Sequence, residues 1–188
     1  MGIFEKEKDF GDAIWSVFDK LNKMDKEAIN WCENNNITVD FDRINAYREY
    51  QIGEYGIVDF LIITSHEEGV GVIPIEIKNI PLVESHASQL CRYKTGLERI
   101  IKENNIFHTY VHPILIGPSV SMSGDMGFLI NHTEIDVLTY SMNPMSGISF
   151  EDSSYGWMNT DETKCKGHVF LNQVKPHLEN IDVEKYSF

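Results

Sequence analysis

The chain has 188 residues, of which 42% are hydrophobic and 24% are charged, and this composition is ordinary for one globular domain with a core. The formal net charge of −13 counts against general, sequence-independent binding to nucleic acid, which depends on Lys and Arg contacting phosphates. No apolar run is long enough to cross a membrane, the charged N-terminus lacks a signal-peptide core, and Cys32, Cys91 and Cys165 form no CxxC pair. We therefore expect a cytoplasmic protein without a zinc ribbon or a disulfide framework.

The N-terminal third is predicted to contain two helices and a strand. Apolar residues over Glu5–Lys23 form one stripe at helical spacing, namely Phe10, Ile14, Val17, Phe18 and Leu21. A second, short helix is expected around residues 28–32, ended by the asparagines at 34–36. An irregular first strand over Ile37–Tyr50 and a turn over residues 51–56 follow.

Two apolar, β-branched runs come next, and each contains charged residues. Asp59 lies within the run 56–63, and Glu76 and Lys78 lie within the run 70–78. Both runs are typical of strands buried on two faces. A buried charge is costly unless something pairs it, and a metal ion is one suitable partner. This stretch is therefore where we expect the chemistry.

The polar segment Ser65–Gly69 between the two runs predicts a hairpin. If the turn is centred between residues 67 and 68, Asp59 lies opposite Glu76, with Cβ atoms roughly 4.5–5.5 Å apart. Two carboxylates at that distance repel unless a divalent cation lies between them. Lys78, two residues after Glu76, projects from the same face. A shift of one residue would move one carboxylate to the other face.

The second half of the chain continues the alternation of helix and strand. A helix over about 84–104 is predicted to bury the residues Leu90, Tyr93, Leu97, Ile100 and Ile101. A buried strand over Thr109–Gly117 follows, and the intervening helix implies a parallel crossover. Residues 119–125 predict a loop or a weak helix start capped by 127–130, and Glu134–Tyr140 predicts a strand. After residue 141 only short β-like pieces are indicated, around Ile148 and over His168–Val174.

This order of elements resembles the PD-(D/E)xK nuclease superfamily. Asp59 and the Glu76-Ile77-Lys78 tripeptide match its two core motifs, and Gln89 and Tyr93 match the QxxxY motif of its RecB-like branch. The proline that precedes the family's aspartate is replaced by a valine here. The resemblance implies an α/β fold with a restriction-endonuclease-like core, a central mixed β-sheet flanked by helices. Its core would cover about residues 5–140 of one domain spanning 1–188, with 141–188 as a C-terminal extension.

The resemblance also implies roles for individual residues. Asp59 and Glu76 would hold Mg²⁺ or Mn²⁺, and the backbone carbonyl of Ile77 would complete the site, because hard cations prefer oxygen ligands. A further acid on the first helix would be Glu7, with Glu5 as its rival. Lys78 would position the attacking water or stabilise the transition state. By the same resemblance, Gln89 and Tyr93 would orient Lys78, the nucleophile or a substrate phosphate.

Three functions remain open from the sequence. The first is a metal-dependent nuclease acting on DNA, favoured by the complete set of acids and lysine. The second is an inactive, acidic protein of the same fold that acts as an inhibitor or assembly factor, favoured by the net charge. The third is a nuclease whose basic surface comes from a partner chain or a homo-oligomer, because residues 104–163 contain no Lys or Arg. Purely structural roles are also open: an ion pair for Lys78 and core packing for Tyr93.

Overall fold

A computed structural model of the chain describes residues 6–39, 42–66, 69–121, 123–143 and 147–153. These residues fall within one unit, Met1–Ser154. Glu5 and the predicted strand piece His168–Val174 lie outside the described residues. The interpretation of 1–188 as a single domain, with 141–188 as its extension, therefore stays a prediction.

The described residues form a central mixed β-sheet. Its strands are β1 (Arg43–Gln51), β2 (Ile57–His66), β3 (Gly69–Ile77), β4 (Thr109–Val111), β5 (Ile114–Gly117), β6 (Asp136–Asn143) and β7 (Gly147–Asp152). The sheet order is β1-β2-β3-β5-β6-β7, and β4 also pairs with β3. The β1–β2, β2–β3 and β6–β7 pairs are antiparallel, whereas β3 pairs in parallel with β4 and β5, as β5 does with β6. The parallel crossover expected after the hairpin is thus confirmed.

Helices cover both faces of this sheet. They are α1 (Glu7–Leu21), α2 (Lys26–Asn34), α3 (Glu84–Glu103) and α4 (Gly124–Thr133). One core cluster joins α1 and α2 to one face of the sheet, and a second cluster joins α3 and α4 to the other. The α/β class, with a mixed sheet flanked by helices, is therefore confirmed. Within the described part of the chain, no helix combines the length and apolarity needed to cross a membrane.

The hairpin has the register that the sequence predicts. Pairing runs from Phe60 with Ile75 to His66 with Gly69, which places the turn between residues 67 and 68. The two turn residues themselves lie outside the described residues. Along β3, the residues from 71 to 77 are buried, as expected for a strand covered on both faces. This register brings the start of β2 beside the end of β3.

Four other details differ from the sequence predictions. The first strand begins at Arg43 rather than at residue 37. The predicted strand over 109–117 is interrupted at residues 112–113, because Pro113 has no N–H with which to continue a ladder. Residues 124–133 form a complete helix rather than a loop with a cap, with the Ser123 side chain accepting a hydrogen bond from the Met126 N–H at its start. Ile100 is exposed rather than part of the buried stripe of α3.

Candidate active site

The charged residues that the sequence predicts to meet do so at one rim of the sheet. Asp59 lies near the start of β2, Glu76 near the end of β3, and Lys78 directly after β3. The backbone of Lys78 is fixed by strand β5, because its N–H donates to the Ile116 carbonyl at 2.8 Å. The first turn of α1 and the N-terminal half of α3 complete the surroundings. This rim is the candidate site.

Glu76 is the most unusual residue in the site, because it is a carboxylate that is only 2% exposed. Its Oε1 accepts hydrogen bonds from Lys78 Nζ and from Gln89 Nε2, both at 2.9 Å. Its Oε2 is also buried and has no hydrogen-bond partner among the described residues. A buried carboxylate oxygen without a partner carries a large desolvation cost. Glu76 is therefore a carboxylate with one oxygen available to a ligand.

Asp59 interrupts an otherwise apolar stretch of β2. Val58 and Leu61 pack in the cluster beneath α3, while Phe60 packs in the opposite cluster. The Asp59 carboxylate accepts a hydrogen bond from the Ile77 N–H at 2.9 Å, so it reaches across to the end of β3. Burial raises the pKa of Asp59, more than the Ile77 N–H and the charge of Lys78 lower it.

The electrostatics of the rim follow from two carboxylates and one ammonium sharing a buried place. Burial and the charge of Asp59 raise the pKa of Glu76 from 4.5 to about 7, although Lys78 acts against the shift. Burial lowers the pKa of Lys78, but Glu76, Asp59 and Glu7 together raise it further, so the net shift is upward. Lys78 is therefore an ammonium at neutral pH. The ionised forms of Asp59 and Glu76 are the ones that this environment disfavours, because the pKa of each carboxyl is raised.

Glu7, the acid of the first helix that the sequence favours for the site, lies beside Lys78. Its Oε1 lies 3.3 Å from Lys78 Nζ, and its side chain is 42% exposed. Glu7 and Asp59 line the same cavity. The rival residue, Glu5, lies outside the described residues. Glu7 therefore lies at the rim, where its carboxylate contacts Lys78 and is partly exposed to solvent.

Gln89 hydrogen-bonds Glu76 rather than Lys78, and Tyr93 in turn hydrogen-bonds Gln89. Gln89 Nε2 donates to Glu76 and to the Tyr93 hydroxyl at 2.7 Å, and that hydroxyl donates to the Ile57 carbonyl at 2.7 Å. The ring of Tyr93 fits because Gly56 has φ +117°, a conformation that favours glycine, and a Cβ there would lie 3.1 Å from the ring. The sequence pattern does not decide whether these residues orient Lys78; in the structure Gln89 donates to Glu76, and Tyr93 donates to the Ile57 carbonyl. They form a chain of hydrogen bonds from α3 to the start of β2.

A cavity of about 290 Å³ opens beside Asp59 and contains residues that the sequence pattern does not place in the site. Its lining is Glu7, Lys8, Gly11, Arg48, Glu49, Asp59, Phe60 and Ile77. Arg48 and Glu49 come from β1, where Glu49 has φ +50°. The flanking pairs, Arg48 with Phe60 and Tyr50 with Val58, put Glu49 level with Asp59. Centring the β1–β2 turn on Glu54 would have given this alignment from the sequence.

The residues of the rim suit a small, hard cation. Mg²⁺ keeps several of its waters and is usually bound through one or two carboxylates rather than by a complete protein cage. No three His, Cys, Asp or Glu side chains in the described ranges are grouped closely enough to hold a metal by themselves. Asp59 and the unpartnered Oε2 of Glu76 would supply the carboxylate oxygens for such a cation. The donor set is entirely oxygen, which fits Mg²⁺ or Mn²⁺ better than a soft metal.

Comparisons with known proteins give distant structural likenesses. No protein-family model and no curated protein matches the chain. SfsA from Pyrococcus furiosus, solved in complex with Ca²⁺, is similar over 75% of this chain and 62% of its own, with 20% identity and a TM-score of 0.39. The small subunit (R.BspD6I2) of the heterodimeric restriction endonuclease R.BspD6I is similar over 68% of this chain and 72% of its own, with 13% identity and a TM-score of 0.33.

The chain thus spans less than two thirds of the SfsA chain that it resembles. Both likenesses have TM-scores below 0.5 and carry no argument about the fold family or the function. They are too distant to assign a role to any residue here. Membership of the RecB-like branch stays a hypothesis based on Gln89 and Tyr93.

Proposed function

We propose that this chain is a metal-dependent nuclease that hydrolyses phosphodiester bonds, with DNA as its substrate and Mg²⁺ or Mn²⁺ as its cofactor. The observation that carries the proposal is Glu76, a carboxylate 2% exposed whose Oε2 has no partner among the described residues. A structural ion pair would not need the second carboxylate, Asp59, which raises the pKa of Glu76. Two carboxylates held against repulsion are useful where a cation binds between them.

Asp59, Glu76 and the Ile77 carbonyl would hold the cation, with Glu7 as a further acid beside it. A bound divalent cation lowers the pKa of a water molecule and offsets the negative charge on the phosphate under attack. The Ile77 N–H fixes the Asp59 carboxylate, and Gln89 fixes Oε1 of Glu76. The chain therefore orients the carboxylates before any ligand arrives, which is the main requirement for electrostatic catalysis.

Lys78 would act as a fixed positive charge rather than as a base. Its pKa is raised, so it has no unshared electron pair with which to accept a proton at neutral pH. Its ammonium donates to Glu76 at 2.9 Å and to Glu7 at 3.3 Å, which keeps it at the mouth of the site. We propose that it hydrogen-bonds the attacking water or a phosphate oxygen and stabilises negative charge in the transition state.

Gln89 and Tyr93 would be positioning residues. Neither needs to touch the substrate, because their hydrogen bonds run between Glu76 and the Ile57 carbonyl. Tyr93 also packs in the core at 2% exposure, so it has a structural role in either case. Replacing Gln89 with Leu would remove one of the two hydrogen bonds that orient Oε1 of Glu76 and leave the one from Lys78. That change should lower kcat more than it raises KM.

The nuclease proposal is tested by replacing Lys78 with Met, an unbranched side chain one atom shorter that removes the charge. Lys94→Met is a matched control, because the side chains of Lys78 and Lys94 are 13% and 15% exposed and each pairs with carboxylates. DNA and RNA of varied structure would be incubated with each protein in Mg²⁺ and in Mn²⁺. We expect cleavage by the wild type and by Lys94→Met, and loss of at least about a hundredfold in kcat for Lys78→Met, in the range seen when a fixed transition-state donor is removed.

The alternative, an inactive protein-binding inhibitor or assembly factor, is favoured by the net charge of −13. It predicts that the wild type and Asp59→Asn are equally inert and that Mn²⁺ does not bind, which isothermal titration measures directly. A wild type that binds Mn²⁺ but cleaves only as part of a larger assembly would favour the third possibility. In that case a partner chain or a homo-oligomer supplies the basic surface, and sedimentation would detect it.

A further inference from the structure

Arg48 lies in the cavity beside Asp59, and it comes from a different strand than the carboxylates of the rim. It belongs to β1, and its Nη2 donates to Asp12 Oδ1 of α1 at 2.6 Å. Gly11 of α1 also lies beside this guanidinium, since a Cβ there would be 3.3 Å from Ile77 Cδ1 and in ordinary contact, at 3.7 Å, with Arg48 Nη2. Lys8, one turn earlier on α1, lines the same cavity. The cavity thus combines cationic side chains from two elements with the carboxylates of Asp59 and Glu7.

We infer that Arg48, assisted by Lys8, binds a backbone phosphate of the nucleic-acid strand next to the phosphate that is cleaved. This inference rests on the proposed nuclease function and names the residues that anchor its substrate. A planar guanidinium matches two oxygens of a phosphate at once, and an ammonium adds a point charge. A cavity lined by both cation-binding carboxylates and cationic side chains suits a polyanion that must approach a metal.

A purely structural ion pair that joins α1 to β1 is a poor alternative explanation for the position of Arg48. Its side chain is 28% exposed and that of Asp12 is 49% exposed. Ion pairs that water reaches in this way contribute about 0–1 kcal/mol. Among the described residues, Asp12 accepts a hydrogen bond from only one guanidinium nitrogen of Arg48, Nη2. The Arg48–Asp12 pair therefore contributes little to the stability of the fold. It orients the guanidinium and leaves other N–H donors of Arg48 available to a ligand.

The negative neighbours of Arg48 also have a consequence for binding. Glu49 follows it directly and lines the same cavity, and Asp12 is hydrogen-bonded to it. These carboxylates would repel a phosphate if Arg48 were absent. The loss of Arg48 should therefore weaken binding more than the loss of an average surface cation. This contrast is what the experiment measures.

The experiment compares Arg48→Ala and Arg48→Lys with Arg99→Ala. Arg99 is a suitable control because it also pairs with a carboxylate, Glu103 at 2.7 Å, but lies on α3 and does not line the cavity. Binding of fluorescein-labelled single-stranded and duplex oligonucleotides would be measured by anisotropy in Ca²⁺ over a range of salt concentrations. Cleavage kinetics in Mn²⁺ and the Mn²⁺ affinity would be measured in parallel.

For Arg48→Ala we expect about a tenfold to hundredfold weaker binding and a matching rise in KM, as for the loss of a charge-assisted hydrogen bond. We expect kcat within about threefold of the wild type, and a salt slope smaller in magnitude by about 0.7–0.9, as expected when one phosphate fewer is neutralised. Arg48→Lys should recover part of the affinity, and Arg99→Ala should change it by less than about twofold. An unchanged Mn²⁺ affinity would show that the rim of the variants is intact.

Equal effects of Arg48→Ala and Arg99→Ala would overturn the inference and leave the nuclease function standing. The same conclusion follows if kcat falls while oligonucleotide affinity and the salt slope do not change. A wild type that neither binds Mn²⁺ nor cleaves would refute the nuclease function instead. In that event, selective loss of oligonucleotide binding in Arg48→Ala would still support a phosphate site.

Discussion

The substitution Glu76→Gln tests whether the buried carboxylate destabilises the folded state and is kept for function. The substitution keeps the shape of the side chain, so that its Oε1 can still accept from Lys78 and Gln89, and it removes the charge. Without a divalent cation, we expect this variant to be more stable than the wild type at alkaline pH. An active site that is stabilised when a charged group is neutralised has kept that group for function rather than for folding.

The magnitude follows from the shift in pKa. The pKa of Glu76 rises from 4.5 to about 7 on folding, and each unit is about 1.36 kcal/mol of differential free energy. Below pH 4.5 the carboxyl is protonated in both states and the shift has no effect on stability. Above pH 7 it is ionised in both, and the folded state is destabilised by about 3 kcal/mol. The advantage of Glu76→Gln should therefore be near zero at pH 4.5 and reach about 3 kcal/mol at pH 8.

Urea unfolding in EDTA at several pH values measures this difference. Glu84→Gln is a suitable control, because Glu84 is partly exposed and its pKa is lowered by a hydrogen bond from Ser123, so it should show no gain at alkaline pH. Repeating the measurement in Mn²⁺ should stabilise the wild type and leave Glu76→Gln unchanged. Equal destabilisation of Glu76→Gln at pH 4.5 and pH 8 would refute the reasoning. Glu76 would then be a structural partner of Lys78.

Other predictions concern stability away from the rim. Gly96→Ala should destabilise the protein, by about 1–3 kcal/mol of overpacking, because the new Cβ would lie 2.5 Å from the ring of Tyr55. Gly127→Ala, in helix α4 with nothing within 4 Å of its Cβ, should instead stabilise by about 0.5–1 kcal/mol, and thermal unfolding distinguishes the two. The pKa of His112 is raised, chiefly by its hydrogen bond to Asp136. Its contribution to stability should thus be present at pH 5.5 and lost as the pH rises past the folded pKa, so that His112→Gln lowers the melting temperature at pH 5.5 more than at pH 8.5.

The hairpin shows why part of the site could be predicted from the sequence. The pairing of two strands joined by a short turn is fixed by the position of the turn centre. A centre between residues 67 and 68 therefore determines every paired residue in β2 and β3. The burial of Glu76 follows from the apolar residues around it, and its contact with Lys78 follows from their spacing. Local rules are sufficient here because the two strands are adjacent in the chain.

The parts that could not be predicted depend on tertiary contacts. The contact of Glu7 with Lys78 joins residues 71 positions apart, and the sequence, which favours Glu7 over Glu5, does not predict that contact. Helix α4 has a weak apolar stripe and begins with a glycine, so its periodicity gives no clear signal. The sequence leaves the role of Gln89 open, because the direction of its amide depends on the buried oxygen that it meets. Such contacts are decided by packing rather than by periodicity.

The acidity of the chain is compatible with a nucleic-acid substrate if the cation is counted as part of the binding surface. Carboxylates outnumber cationic side chains around the rim and its cavity, as the residues Glu7, Asp12, Glu49, Asp59 and Glu76 face Lys8, Arg48 and Lys78. Without a divalent ion, this surface repels a phosphate, whereas one bound ion neutralises its formal local charge and a second reverses it. Oligonucleotide affinity should therefore be high in Ca²⁺ and negligible in EDTA at the same ionic strength. Tight binding in EDTA would mean that phosphates bind elsewhere on the chain, and the rim would then have no part in holding the substrate.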